Sequence, residues 1–140
     1  MKSLIFDSEA LSRVARLSSN AAKMKLVTPY LKSAYREGTP ILIPAAVLAE
    51  QYRGGGHDQA IDAWLSRNSE FAIIVDTDRA LAREIGHILA KHGRGTADHV
   101  DAAVVAVAAR HGGGVILTSD DGDVGLFADG LPGIHVEILR

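Results

Sequence analysis

Short aliphatic runs alternate with helical patterns along the whole sequence, and no other feature limits the possible folds as much. Leu4-Ile5-Phe6, Ile41-Leu42-Ile43, Phe71 to Val75, Val115-Ile116-Leu117 and Ile134 to Ile138 read as strands. The first helix follows Ser8 as its cap, with Ala10, Leu11, Val14, Ala15 and Leu17 at helical spacing. Thr28-Pro29 is a helix-start signal, followed by Leu31, Ala34 and Tyr35. Pro44 opens a helix over Ala45 to Tyr52 that Gly54-Gly55-Gly56 stops, and another covers Asp58 to Arg67. Thr77 or Asp78 caps a helix running to about His92, Thr96 caps the next, and a short one covers Val124 to Ala128. Within the helix that Thr96 opens, Ala102 to Ala109 is apolar on nearly every face and must be buried. This alternation predicts an α/β fold with a mostly parallel sheet covered on both sides. The length of 140 residues fits one domain.

Composition narrows the chemistry. Hydrophobic residues make up 47% of the chain and aromatics 5%, so the core must be aliphatic. Cysteine is absent, which excludes disulfides, thiol catalysis and cysteine-based zinc sites and fits the reducing cytoplasm. The segment Met1 to Asp7 is too short and too soon charged for a signal peptide, and no apolar run approaches the ~18 residues of a membrane span. The net charge of −2 rules out a uniformly basic nucleic-acid binder. Its distribution is uneven: Arg13, Arg16, Lys23, Lys25, Lys32 and Arg36 fall in a stretch without a single acid. Such a stretch is either a solvated helical face or a surface for phosphates or an acidic partner.

The acids carry the chemistry. In an open parallel sheet, ligands bind beyond the carboxyl ends of the strands. Asp7 closes the first strand and Asp120 the fourth, positions that also suit a helix cap or turn former. Glu50 ends an otherwise apolar helix, where the helix dipole disfavours it. Asp98 and Asp101 share a helix face; Asp98 falls in the first turn, where an acid is stabilised, whereas Asp101 directly precedes the buried apolar run, where an unpaired carboxylate is costly. In the loop Ser119-Asp120-Asp121-Gly122-Asp123, the spacing of a calcium loop is missing; Asp121 reads as solvated and Asp123 as a helix cap. Four converging carboxylates need a counter-charge, and oxygen donors without Cys or paired His favour Mg²⁺ or Mn²⁺. Such a site suits hydrolysis of phosphodiesters by a metal-activated water. Both triple-glycine runs follow helices rather than strands, and neither a Gly-x-Ser-x-Gly elbow nor a His-Glu-x-x-His pattern is present.

Four segments together resemble the acidic motifs of PIN domains: Leu4-Ile5-Phe6-Asp7-Ser8, Ile43-Pro44-Ala45-Ala46-Val47-Leu48-Ala49-Glu50, Asp98-His99-Val100-Asp101-Ala102-Ala103-Val104-Val105 and Leu117-Thr118-Ser119-Asp120. The similarity is greatest to VapC-type toxins of bacterial toxin–antitoxin pairs, and it spans nearly the whole chain in the right order. The resemblance implies a PIN-like three-layer fold whose parallel sheet has the order 3-2-1-4-5. It implies a Mg²⁺- or Mn²⁺-dependent endoribonuclease with Asp7, Glu50, Asp101 and Asp120 around the metal, supported by Ser8 or Thr118. Of the two acids in the Asp-x-x-Asp motif it favours Asp101, followed by Ala, as the ligand, with Asp98 behind it or on a second ion. A homodimer is implied too, as is a cognate antitoxin that binds DNA through its own domain, packs across the early helices and reaches toward the active site. The basic stretch from Arg13 to Arg36 is then expected to face RNA or the partner.

Two other readings stay open at this level. A PIN-like module that has lost catalysis would serve in protein assembly alone, against which stands the presence of all four motif acids. An aspartyl-phosphate domain would use Asp7 as acceptor, but Glu9 replaces the second Asp that a haloacid-dehalogenase-like phosphatase requires, and the Lys of a receiver domain is absent.

Overall fold

The computed structural model describes residues 1–17, 22–119 and 122–140. Its strands are β1 (Leu4–Phe6), β2 (Ile41–Pro44), β3 (Ala72–Val75), β4 (Gly114–Thr118) and β5 (Ile134–Ile138). They form one sheet in the order β3-β2-β1-β4-β5, as expected, and every neighbouring pair is parallel. The connecting helices are α1 (Ser8–Val14), α2 (Ala22–Glu37), α3 (Ala45–Gln51), α4 (Gly55–Arg67), α5 (Arg79–Lys91), α6 (His99–Arg110) and α7 (Asp123–Ala128), with a 3₁₀ turn over Thr96–Asp98. No described helix is long and apolar enough to cross a membrane.

Successive residues of a strand point to opposite faces of a sheet. Leu4, Ile5 and Phe6 are all fully buried, so both faces of the central strand are covered. The same holds for Ile41, Leu42 and Ile43 next to it, whereas Ile73 and Ile74 on the edge strand β3 stay exposed. The apolar helix is α6: Ala102 through Ala108 are all buried, and it packs on β1, β2 and β4 and on helices α3, α5 and α7. Beyond it, glycine is required where backbones meet. Gly113 has φ +102°, and a Cβ there would stand 2.4 Å from the carbonyl oxygen of Gly133.

Several helix starts differ from the sequence expectation, each for a local reason. The cap of α1 is Asp7 rather than Ser8, because the Asp7 carboxylate takes the N–H of Ala10 at 3.1 Å. Thr28-Pro29 lies inside α2 instead of opening it. Buried Val27, Leu31 and Ala34 keep one apolar stripe running across the proline, and the Thr28 hydroxyl donates to the Met24 carbonyl at 3.0 Å. Helix α4 begins at Gly55 rather than Asp58, since the Asp58 carboxylate reaches back to the N–H groups of Arg53 (3.2 Å) and Gly54 (2.9 Å). Thr96 opens the 3₁₀ turn, and α6 starts only at His99, with Asp98 as a cap whose side chain makes no capping bond.

The basic stretch also divides. Arg16 is exposed, but Arg13 is only 5% exposed. The Arg13 guanidinium donates to Glu9 at 2.9 Å and to the Leu139 carbonyl at 3.3 Å, tying α1 to the chain beyond β5. Arg13 is therefore a packing residue and drops out of the expected RNA- or partner-facing surface.

Candidate active site

The parallel register fixes where the first acid lies. Phe6 pairs with Leu117, and the N–H of Asp7 continues the ladder to the Leu117 carbonyl at 3.2 Å. Asp7 thus sits at the carboxyl end of the central strand, beside Thr118 on β4. Its side chain is 6% exposed, caps α1 through Ala10 and accepts a hydrogen bond from the fully buried Thr118. Burial is the main influence on its carboxyl, pushing the pKa from 3.8 up to about 6 against the opposing pull of the hydrogen bonds from Thr118 and from the backbone of Ala10 and Glu9. The charge of Glu9 adds a small upward push.

A crevice of about 260 Å³ opens at this strand end. Asp7, Ser8 and Glu9 form one side, Glu50 and Gln51 from the end of α3 another, and Asp101 from the first turn of α6 a third, with Ser119 after β4 completing it. Three of the acids singled out in the sequence, Asp7, Glu50 and Asp101, therefore line one cavity. The fourth, Asp120, lies outside the described residues, as does Asp121; its neighbour Ser119 is on the crevice wall. Of the two supporting hydroxyls, Thr118 bonds to Asp7, and the Ser8 Oγ is buried at the crevice without a hydrogen-bond partner among the described residues.

Asp101 also belongs to a second group. One carboxylate oxygen from each of Asp98, Asp101 and Asp123 lies within 4.8 Å of the others, and all three residues are half-buried. At that separation a pair of carboxylates repels by roughly 3 kcal/mol at an effective dielectric near 20, before salt screening. Arg94 supplies a counter-charge: its Nη1 lies 3.1 Å from Asp123 and 3.6 Å from Asp98. Neither Asp123 nor Arg94 was singled out in the sequence for this role. Asp123 stands in the first turn of α7, whose cap is Gly122, so its carboxylate turns to Arg94. The Arg94–Asp98 half of the arrangement has the four-residue spacing of a helical ion pair and is legible in the sequence; the contact with Asp123 is tertiary.

An all-parallel α/β sheet whose central strand ends in a carboxylate-lined crevice defines a class of protein that acts at the strand ends. The chain belongs to the PIN-domain family, whose model, "PIN domain", matches residues 4–124. No curated protein matches it in sequence. Among solved structures it is similar to VapBC2 from Rickettsia felis bound to a DNA fragment from their promoter, with 14% identity, a TM-score of 0.66 and coverage of 98% of each chain. It is similar to DNA-bound VapBC from Salmonella typhimurium, with 16% identity, a TM-score of 0.64 and full coverage of both chains. VapBC-5 from Mycobacterium tuberculosis, a member of the VapBC family of toxin–antitoxin systems, shares 20% identity at a TM-score of 0.52, over 100% of this chain and 99% of that one. At these identities the likeness is one of fold.

Proposed function

We propose that this chain is a divalent-metal-dependent endoribonuclease, the toxin of a toxin–antitoxin pair, formed by residues 1–140 as one PIN domain and acting in the cytoplasm. The observation that carries the reading is the meeting of Asp7, Glu50 and Asp101, from three separate elements, in one crevice at the end of the central strand. Membership of the PIN-domain family supports it, and the likeness in fold to VapBC complexes supports an antitoxin as partner.

The residues fit a hard cation. The donors are all oxygens, which suits Mg²⁺ or Mn²⁺. Asp7 is a buried carboxyl whose ionisation is opposed by its surroundings, and a cation at the crevice would favour its charged form. Asp7, Glu50, Asp101 and Asp120 would hold the ion, with Asp98 beside them. Bound there, it would supply the positive charge that activates water and offsets charge on a phosphodiester. Thr118 and the Ala10 N–H keep the Asp7 carboxylate in one orientation, so the donor is set before any ligand arrives. Ser8 offers at the same wall a hydroxyl that is unpaired among the described residues. The substrate is RNA, cut with inversion in line to leave 5′-phosphate and 3′-hydroxyl ends, and the working unit is a homodimer.

The test is cleavage of a mixed RNA pool with Mg²⁺ or Mn²⁺, comparing wild type with Asp101→Asn and analysing product ends. Metal-dependent cleavage that Asp101→Asn abolishes is the expected result. Products ending in 2′,3′-cyclic phosphate would overturn the route, and persistent inactivity of a protein that still captures its antitoxin would favour the non-catalytic module.

A further inference from the structure

We propose that Arg94 occupies the acid cluster when no cation is present and gives it up when one binds, so that it sets the affinity and the threshold of the site. The inference rests on the metal-dependent reading above and adds to it a competitor within the chain.

The geometry is that of a shared counter-ion. A single nitrogen, Nη1, serves two carboxylates from different elements, Asp98 at the start of α6 and Asp123 in α7. The third acid of the cluster, Asp101, faces the crevice with Asp7 and Glu50. A cation drawn to Asp101 therefore meets two neighbours already engaged. The Arg94 side chain is 37% exposed, so it can swing into solvent without opening the core. It lies in the turn between α5 and the 3₁₀ turn, flanked by Gly93 and Gly95. Gly93 has φ +64°, and neither glycine has an atom within 4 Å of where a side chain would begin. A guanidinium cannot lose its proton at any ordinary pH, so its only way to yield to a second positive charge is to move. A cation held at Asp101 lies next to the acids that Arg94 holds, so the two positive charges oppose each other and each weakens the other's hold by the same factor.

The experiment is a Mn²⁺ titration by calorimetry, together with thermal unfolding in EDTA and in saturating Mn²⁺, on wild type, Arg94→Gln and Arg94→Lys. Arg94→Gln is expected to bind Mn²⁺ about three- to thirtyfold more tightly, the range for loss of two partly exposed ion pairs. It is also expected to unfold at lower temperature than wild type in EDTA, where the acids have lost the Arg94 charge, and to recover most of that deficit in Mn²⁺. Arg94→Lys keeps the charge and should stay close to wild type. Equal or weaker Mn²⁺ binding by Arg94→Gln, or an equal stability deficit with and without Mn²⁺, would make Arg94 a structural brace only and overturn the proposal while leaving the metal-dependent reading intact. Absence of Mn²⁺ binding in all three proteins, with RNA present as well as absent, would overturn both.

Discussion

Thr118 donates its hydroxyl hydrogen bond to Asp7 across the β1–β4 boundary, joining the ends of two strands that lie more than a hundred residues apart in the chain. The bond favours the charged form of a carboxyl that burial still keeps at a pKa of about 6 with the bond in place. Thr118→Val removes the donor while keeping the shape, so the Asp7 pKa should rise further and protons should compete with the cation at higher pH. We expect the midpoint of Mn²⁺ binding against pH to move upward by roughly half a unit to one unit, the effect of losing one charge-assisted hydrogen bond. An unmoved midpoint would show that Thr118 does not tune Asp7.

Asp7 should also destabilise the metal-free protein. Its pKa in the fold, about 6, lies above the ordinary 3.8, so folding favours the protonated form. The resulting stability is fully present below pH 3.8 and is lost as pH rises through about 6. Above that, the ionised group costs up to about 3 kcal/mol. Asparagine caps a helix as well as aspartate does, so Asp7→Asn should unfold at higher temperature than wild type in EDTA at pH 8, by a few degrees, and show no such advantage near pH 4. It should at the same time bind no Mn²⁺. Equal thermal stability at pH 8 would refute the burial argument.

Glu50 separates function from stability. It is exposed at the last turn of α3, where the helix dipole gains nothing from an acid. Glu50→Gln should change stability by less than about 0.5 kcal/mol yet lower RNA cleavage by about a hundredfold or more. A variant that keeps its cleavage rate would remove Glu50 from the metal site.

Arg13 and Arg16 should part company. Arg13→Ala breaks the contacts with Glu9 and with the Leu139 carbonyl and should destabilise by about 2 kcal/mol. Arg16→Ala, at an exposed position, should leave the unfolding temperature nearly unchanged. If both variants unfold together with wild type, the anchoring role of Arg13 is wrong.

What the sequence made legible was whatever depends on local pattern. Strand lengths, the apolar helix over Ala102–Ala108 and the placement of Asp7 at a strand end follow from periodicity and position, and the strand order followed from the family resemblance carried by the motifs. Thr28-Pro29 misled because a start signal is local, whereas the buried stripe of Val27, Leu31 and Ala34 that overrides it depends on what the helix packs against. Asp123 was read as a cap because its partner, Arg94, is brought to it only by the packing of α7 against α6. Arg13 looked like surface because charge alone does not reveal that it reaches the Leu139 carbonyl, beyond the last strand.

The central strand carries a consequence for synthesis. β1 precedes the other strands in the chain, yet one of its two neighbours, β4, begins at Gly114, and the helix that brings Asp101 to the crevice precedes β4 by only a few residues. Contacts this distant in the chain form late. A growing chain that has passed Glu50 holds Asp7, Glu9 and Glu50 of the crevice lining and lacks Asp101 until residue 101 is clear of the ribosome. Order of synthesis and order of assembly therefore differ: β1 and α3 must wait for α6 before the three elements can enclose the crevice together.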